Sequence, residues 1–334
     1  MAGGEVRFGV LGCASIAWRR TLPAMVEADR ARLIAVASRR ADKARRFGEH
    51  FGCAWVCGYE ELLNRDDIDA IYIALPAALH TPWAARALRA GKHVLVEKPL
   101  AGTGREARSL VDLAGKVDRR LMENRMFAYH QQHRAVDELV ADGAIGELRA
   151  FCSAMAIPPL PDDDIRYRAD LGGGALLDAG FYPVHAALRF LGPSLEVRGA
   201  QLFTGRQWSV ETRGAALLCT ADGVTAQVSF GFEHAYRSSY ELWGDRGRIS
   251  VARAFTPLPS WQPVLRIERQ DRTEELTLPA DHQFRNVIET FSRHALDGGG
   301  DAPDLDIAVG GLDLMDDIRD RAGVACRARQ LEST

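Results

Sequence analysis

The chain has 334 residues, 42 of them lysine or arginine and 45 aspartate or glutamate, for a formal net charge of -3. Hydrophobic residues make up 47% of it, which excludes a disordered chain and, at this length, points to about two domains of roughly 100–200 residues each. The near balance of charge gives no footing for nucleic acid or an anionic membrane, and no apolar run approaches the ~20 residues of a bilayer span.

In chain order, the first third alternates short apolar runs with longer amphipathic ones. Strands are expected at Val6–Leu11, Leu33–Ser38, Ala54–Val56, Ala70–Leu75 and Lys92–Val96, with a sixth near Arg120–Glu123. Helices are expected between them at Ile16–Ala28, Ala41–Phe51, Tyr59–Asn64, Pro82–Ala90 and Arg105–Gly115. Strand–helix alternation at this spacing predicts an α/β unit with a doubly wound parallel sheet. Thr103, three residues before Glu106, predicts a capping box. Thr81 before Pro82 predicts an N-cap with proline at the first helical position.

Beyond about residue 123 the pattern changes. Helices are expected at His133–Asp142 and Ala179–Phe190, the second stopped by Gly192 and Pro193. Strand-like runs follow at Leu195–Thr204, Ala215–Thr220, Val224–Phe232, Tyr236–Trp243 and Gly247–Val251. A further pair is expected at Val264–Arg269 and Glu274–Leu278, before closing helices around His282–Leu296 and Ile307–Arg321. Hairpin turns at 221–223 and 245–247 mark this half as α+β with a large open, mostly antiparallel sheet. The expected division is 1–122 and 123–334.

Six cysteines are present, and none has the neighbours of a zinc site. They are expected to be reduced thiols of a cytoplasmic protein, with no metal. The N-terminal MAGGEVRFGV has no charged segment followed by an apolar one, so no signal peptide is expected.

The segment FGVLGCASIAWRR follows the first strand and opens the first helix. Against the dinucleotide fingerprint G-x-G-x-x-G it keeps only Gly12, with Ala14 and Ala17 in the other places. Gly12 suits the tight turn, and Ala17 still permits close helix–strand packing. Ala14, Ser15 and Ile16 lie where a pyrophosphate would pass. The second strand ends in Ser38-Arg39-Arg40, where an acidic residue would read a ribose hydroxyl pair. A hydroxyl and two guanidinium groups suit a 2′-phosphate instead, so NADP(H) is expected over NAD(H). Trp18 and Arg19 occupy the positive end of the helix dipole. Either they face a bound anion, or Trp18 packs as core and Arg19 is solvated.

Several motifs now stand in order. They are the Gly12 turn, IYIALPAALHTPWAARALRAGKHVLVEKPLAG, ENRMFAYH and GGGALLDAGFYPVHAALRFLG. This set resembles the glucose-fructose oxidoreductase/inositol dehydrogenase/rhizopine-catabolism family (Gfo/Idh/MocA), and the likeness covers nearly the whole chain. The resemblance implies an N-terminal Rossmann domain, a C-terminal α+β domain whose open sheet meets another subunit, a nicotinamide cofactor, and sugar or polyol substrates. A homo-oligomer, dimer or tetramer, is expected on that ground.

The resemblance places Lys98 as the catalytic-site lysine, with Glu97 before it and Pro99 after. It places Leu75, Pro76 and His80 in a loop passing the cofactor, and Tyr167-Arg168 at the pocket. Two departures narrow the branch: Tyr182 stands where most members carry histidine, and His185 where they carry aspartate. Tyrosine there is similar to the branch holding deoxysugar 3-ketoreductases. The first loop together with SRR most resembles reductases of the C3 ketone of nucleotide-linked keto-deoxysugars in antibiotic pathways. Free-sugar or trans-dihydrodiol dehydrogenases on the same scaffold, or a non-catalytic NADP-binding regulator, are the alternatives.

Ketone reduction needs a hydride at carbon, a proton for oxygen, and stabilisation of the developing alkoxide. An ammonium near a phenol lowers the phenol's pKa from about 10 toward neutrality, so Tyr182 is the expected general acid and Lys98 its partner. Direct protonation by Lys98 is the alternative. Asp178, four residues before Tyr182, either supports that pair or caps a helix. His185 either touches substrate or is a buried, satisfied histidine. Asn124 and Arg125 border the pocket or end a strand. Arg166, Arg237 and Tyr236 are candidates for the nucleotide's diphosphate and base.

Overall fold

The computed structural model describes residues 4–205, 207–297 and 305–322. The chain folds as two compact units. One holds the chain up to His130 and then His282–Val309; the other holds Gln131–Asp281 and the chain from Gly310. A single cut near residue 122 therefore differs from the observed division.

In the first unit, β1 (Val6–Leu11), β2 (Ala31–Ser38), β3 (Ala54–Cys57), β4 (Ala70–Ile73), β5 (His93–Glu97) and β6 (Leu121–Asn124) form one sheet in the order β3-β2-β1-β4-β5-β6. Every pairing is parallel. The order reverses beside β1, so all the strand ends that bind ligands in open α/β folds share one edge. The connecting helices are α1 (Leu22–Glu27), α2 (Ala41–Phe51), α3 (Tyr59–Leu63), α4 (His80–Arg89) and α5 (Gly104–Lys116). The central strands read as apolar runs because both faces are buried: β4 and residues 94–96 of β5 have no more than a trace of exposure. The Thr103 hydroxyl accepts from the Glu106 amide at 3.3 Å, as the capping box requires. Thr81, in contrast, is no cap: α4 begins one residue earlier, and its hydroxyl bonds Glu106 instead.

In the second unit, α6 (Gln131–Ala141) precedes β7 (Leu148–Ala156), and α7 (Phe181–Leu191) precedes a run of strands. These are β8 (Glu196–Thr204), β9 (Glu211–Cys219), β10 (Thr225–Gly231), β11 (Arg237–Gly244), β12 (Arg248–Ala252), β13 (Val264–Glu268) and β14 (Thr273–Thr277). They make an eight-stranded sheet in the order β14-β13-β12-β11-β7-β10-β9-β8. β7 was not expected from sequence. It lies in the middle of the sheet, antiparallel to β11 and parallel to β10. One face of the sheet packs α7 and buries Phe151, Val228, Phe230, Tyr240 and Leu242. The other face carries small and polar side chains, among them Cys152, Gln227, Ser229 and Glu241.

α8 (Gln283–Asp297) belongs to the first unit, although it is read after the whole second sheet. Its apolar stripe Phe284, Val287, Ile288 and Phe291 is buried, and Phe291 meets Phe8 of β1 with ring centroids 5.6 Å apart. α9 (Leu305–Arg321) then carries the chain back into the second unit.

Candidate active site

The carboxyl edge of the parallel sheet collects most of the expected cofactor residues. Gly12 leaves β1 with φ +98°, and a Cβ there would lie 2.3 Å from the Ala74 carbonyl oxygen. Only glycine fits, because the β1 and β4 exits touch. Ser15 and Ile16 then enter a helical stretch whose next turn, Ala17–Thr21, is a π-turn, a local widening often met at functional sites. Arg19 donates to the Ser15 hydroxyl at 3.0 Å and is exposed. Trp18 takes the packing role. It stacks on His50 with centroids 4.1 Å apart, meets Phe47 and Phe51 edge-on, and lies under Arg46.

At the end of β2, Ser38 is buried and its hydroxyl accepts from the Arg40 amide. Arg39 and Arg40 are exposed. Arg40 holds Asp42 bidentately, which keeps that carboxyl below its usual range. Arg39 faces the Tyr59 hydroxyl, whose pKa burial nonetheless raises. The strand end thus gathers a hydroxyl and two exposed guanidinium groups, that of Arg40 shared with Asp42, into a set that fits a 2′-phosphate.

The Lys98 turn is fixed from three sides. Glu97 is buried, and its Oε1 accepts from the Tyr72 hydroxyl at 2.5 Å and from Asn124 Nδ2 at 2.6 Å. Tyr72 shares a further bond with Thr21 at 2.9 Å. Burial raises the Glu97 pKa, against these donors and the Lys98 charge. Glu97 and Asn124 are thereby bonded to each other where their strands end. His80, also buried, spans the Pro99 carbonyl at 2.6 Å and the Leu75 carbonyl at 2.8 Å. Two acceptors favour the charged ring, but burial, aided by the Lys98 ammonium, holds its pKa below the ordinary value. Glu123 completes the frame: one oxygen accepts the Leu100 amide at 2.7 Å and the other meets Arg125 at 3.2 Å, both side chains being buried. Lys98 itself is half-buried and Pro99 follows in cis. Leu75 and Pro76 line the neighbouring strand exit, both partly exposed.

In the second unit, Tyr182 opens α7 directly after a π-turn at Leu176–Gly180. Its ring is nearly buried, edge-on to Phe181 at 5.6 Å and tilted against Phe255 at 5.4 Å. Asp178 lies inside that π-turn, so it is not a helix cap, and its carboxylate accepts from Arg166 Nε at 2.7 Å. Arg166 also binds Asp164 at 3.1 Å. The two carboxylates, Asp178 foremost, keep its guanidinium above its ordinary range. Arg166 is therefore paired with Asp164 and Asp178. Gly174 precedes the turn with φ +122°, and a Cβ there would strike Glu211 Oε1 at 2.5 Å. Glu211 in turn accepts the Leu176 amide at 3.1 Å, and burial raises its pKa.

His185 takes the structural role. It is buried, stacks on Phe181 at 3.9 Å, bonds the Phe181 carbonyl through Nδ1, and abuts Gly311 of α9. Arg168 forms an exposed bidentate pair with Asp170. Tyr236 is exposed and bonds Thr256. Sequence reasoning missed Tyr72, Glu123 and Glu211. The one local signal was an acid (Glu123) inside the short apolar run LMEN.

Residues 6–125 match the model of the oxidoreductase family with an NAD-binding Rossmann fold, and residues 133–250 match the GFO/IDH/MocA C-terminal domain. The chain belongs to the Gfo/Idh/MocA oxidoreductases. Among its relatives in the family, a dTDP-3,4-didehydro-2,6-dideoxy-alpha-D-glucose 3-reductase of Actinomadura kijaniata is 52% identical over 88% of both chains. A protein of the same name from Saccharopolyspora spinosa is 50% identical over 88% of this chain and 89% of its own. The crystal structure of KijD10, a 3-ketoreductase from Actinomadura kijaniata in complex with NADP and TDP-benzene, superposes with TM-score 0.94 at 49% identity, over 95% of this chain and 98% of that one. Among the described residues, no helix is long and apolar enough to cross a membrane, and no group of three or more His, Cys, Asp or Glu could hold a metal ion.

Proposed function

We propose that this protein is an NADPH-dependent reductase of the C3 ketone of a dTDP-linked keto-deoxysugar, acting in antibiotic sugar biosynthesis. The observation that carries the reading is a framed Lys98 turn on a sheet edge bearing Ser38-Arg39-Arg40, in a chain half identical to enzymes named for that reaction. Gly12, Ala14, Ser15 and Ile16 hold the pyrophosphate of NADPH, and Ser38, Arg39 and Arg40 its 2′-phosphate. Bound NADPH supplies the hydride for the carbonyl carbon. Tyr182 gives its hydroxyl proton to the carbonyl oxygen as the alkoxide forms, and the Lys98 ammonium supports the phenolate left behind. Asp178 acts one step back, holding Arg166 and with it the loop before the Tyr182 turn.

KijD10 has also been crystallised with one tyrosine changed to phenylalanine and one lysine changed to alanine or glutamate. That tyrosine and lysine are as many residues apart in sequence as Lys98 and Tyr182. This spacing supports the pairing. The five described cysteines are free thiols, which suits a cytoplasmic enzyme. The open face of the eight-stranded sheet, with Leu217 and Trp243 exposed upon it, suits a homo-oligomer.

The test is NADPH oxidation against dTDP-linked keto-sugars, free sugars and diols. Turnover confined to the dTDP-sugars is expected, and Lys98→Ala and Tyr182→Phe should each lower it by about 10²- to 10⁴-fold with NADPH binding retained. Preference for free sugars or diols overturns the substrate, and wild-type rates in both variants overturn the mechanism.

A further inference from the structure

Arg253 directly follows β12 with a left-handed backbone, φ +50°. Among the described residues only Arg30 and Asp118 share that state without being glycine, and both stand in turns of the first unit. A left-handed arginine is uncommon, and such positions collect at ligand sites. Its guanidinium lies 5.1 Å from the Trp261 ring centroid and 5.5 Å from that of Tyr236. Both rings keep about two-fifths of their surface exposed, at 40% and 42%. The ring of Tyr236 is pinned through its hydroxyl to Thr256 at 2.6 Å, and a turn bond from the Trp261 amide to the Leu258 carbonyl holds the backbone that carries the other.

The arginine is poised but not spent. Arg248 and Arg266, on the neighbouring strands, are each paired with Glu268. Arg253 has no carboxylate within ion-pair distance among the described residues. Its position relative to Tyr182 is set within the same unit. Ala254 and Phe255 are tied through their amides to the Ser238 carbonyl and hydroxyl at 2.9 and 3.0 Å, and Phe255 packs on Tyr182. Arg253 stands two residues before Phe255, so their Cα atoms lie within about 7 Å of each other, and Phe255 is the ring against Tyr182. The other two candidates are already engaged: Arg166 by carboxylates, Arg237 by Ser239 on the open face of the sheet.

We propose that Arg253, Tyr236 and Trp261 form the site for the pyrimidine nucleoside diphosphate end of the substrate. The planar guanidinium pairs with the diphosphate oxygens, and an exposed ring face stacks on the base, as aromatic side chains do for any base. This rests on the nucleotide-sugar reading above, and it adds two residues, Arg253 and Trp261, that sequence alone did not single out.

The experiment is calorimetric titration of the NADP-loaded protein with dTDP, in the wild type and in Arg253→Gln, Arg253→Lys, Trp261→Ala and Trp55→Ala, each checked for an unchanged thermal melt. Arg253→Gln and Trp261→Ala should each weaken dTDP binding by about tenfold or more, with Arg253→Lys between them and the wild type. Trp55, an equally exposed tryptophan in the first unit, is the control and should leave affinity unchanged. If the wild type binds dTDP and all variants bind it as tightly, the site is wrong while the nucleotide-sugar reading stands. If the wild type does not bind dTDP, that reading fails and takes the site with it.

Discussion

Lys98 and Tyr182 are held by different physics. The lysine turn is suspended in a polar frame of Glu97, Tyr72, Asn124, His80 and Glu123, every member buried and bonded to backbone or to another member. The tyrosine is held by aromatic contact, with Phe181 and Phe255 around its ring. A polar frame fixes direction and charge, because each bond has one good geometry and buried charges answer to pH. An aromatic wall fixes position without regard to pH. In the proposed roles, the residue that supplies charge sits in a titratable frame, while the residue that supplies the proton has aromatic rings against its own.

Substitutions separate the two kinds of support. The largest stability effect is expected from Phe255→Ala, about 3–5 kcal/mol for a fully buried aromatic ring. Chemical denaturation at pH 6 and pH 8 should give the same loss at both, and a strongly pH-dependent loss would refute the division. Next is Tyr72→Phe, which deprives the buried Glu97 of a donor; about 1–3 kcal/mol is expected, read as a lower urea midpoint. No measurable change there would mean the frame contributes little.

The smallest effect is the most diagnostic. Burial raises the folded pKa of Glu97 above its unfolded value of about 4.3. The folded state therefore holds the proton more tightly, and the wild type loses stability as pH rises from about 4.3 through the raised value. Glu97→Gln keeps an oxygen acceptor for Tyr72 and carries no charge, so it lacks that slope. The difference in unfolding free energy should move in favour of the variant across that window and then level off. A flat difference would show that Glu97 carries no burial cost.

Much of the first unit was legible because buried parallel strands appear as short apolar runs and their helices carry amphipathic patterns. All six of its strands start and end within about two residues of expectation. β7 escaped because LRAFCSAMA is rich in small residues, has no β-branched one, and no turn pair announces it. Lys98 and Tyr182 were found through ordered motifs. Glu97 and Asn124 were singled out as well, but the bonds that join them to Thr21 and Tyr72 were not, since the four come from separate elements and meet only in the fold. The same holds for Arg166 and Asp178. Each is plausible alone as a ligand-binding group, and only the folded chain reveals that they bind each other.

The position of α8 bears on how the chain is made. Phe8 belongs to β1, yet its ring partner Phe291 lies on a helix synthesised after the entire second sheet. During translation the parallel sheet must persist with that flank uncovered, an exposed apolar surface of the kind chaperones engage. A chain cut after Asp281 keeps every strand of both sheets but never acquires this cover.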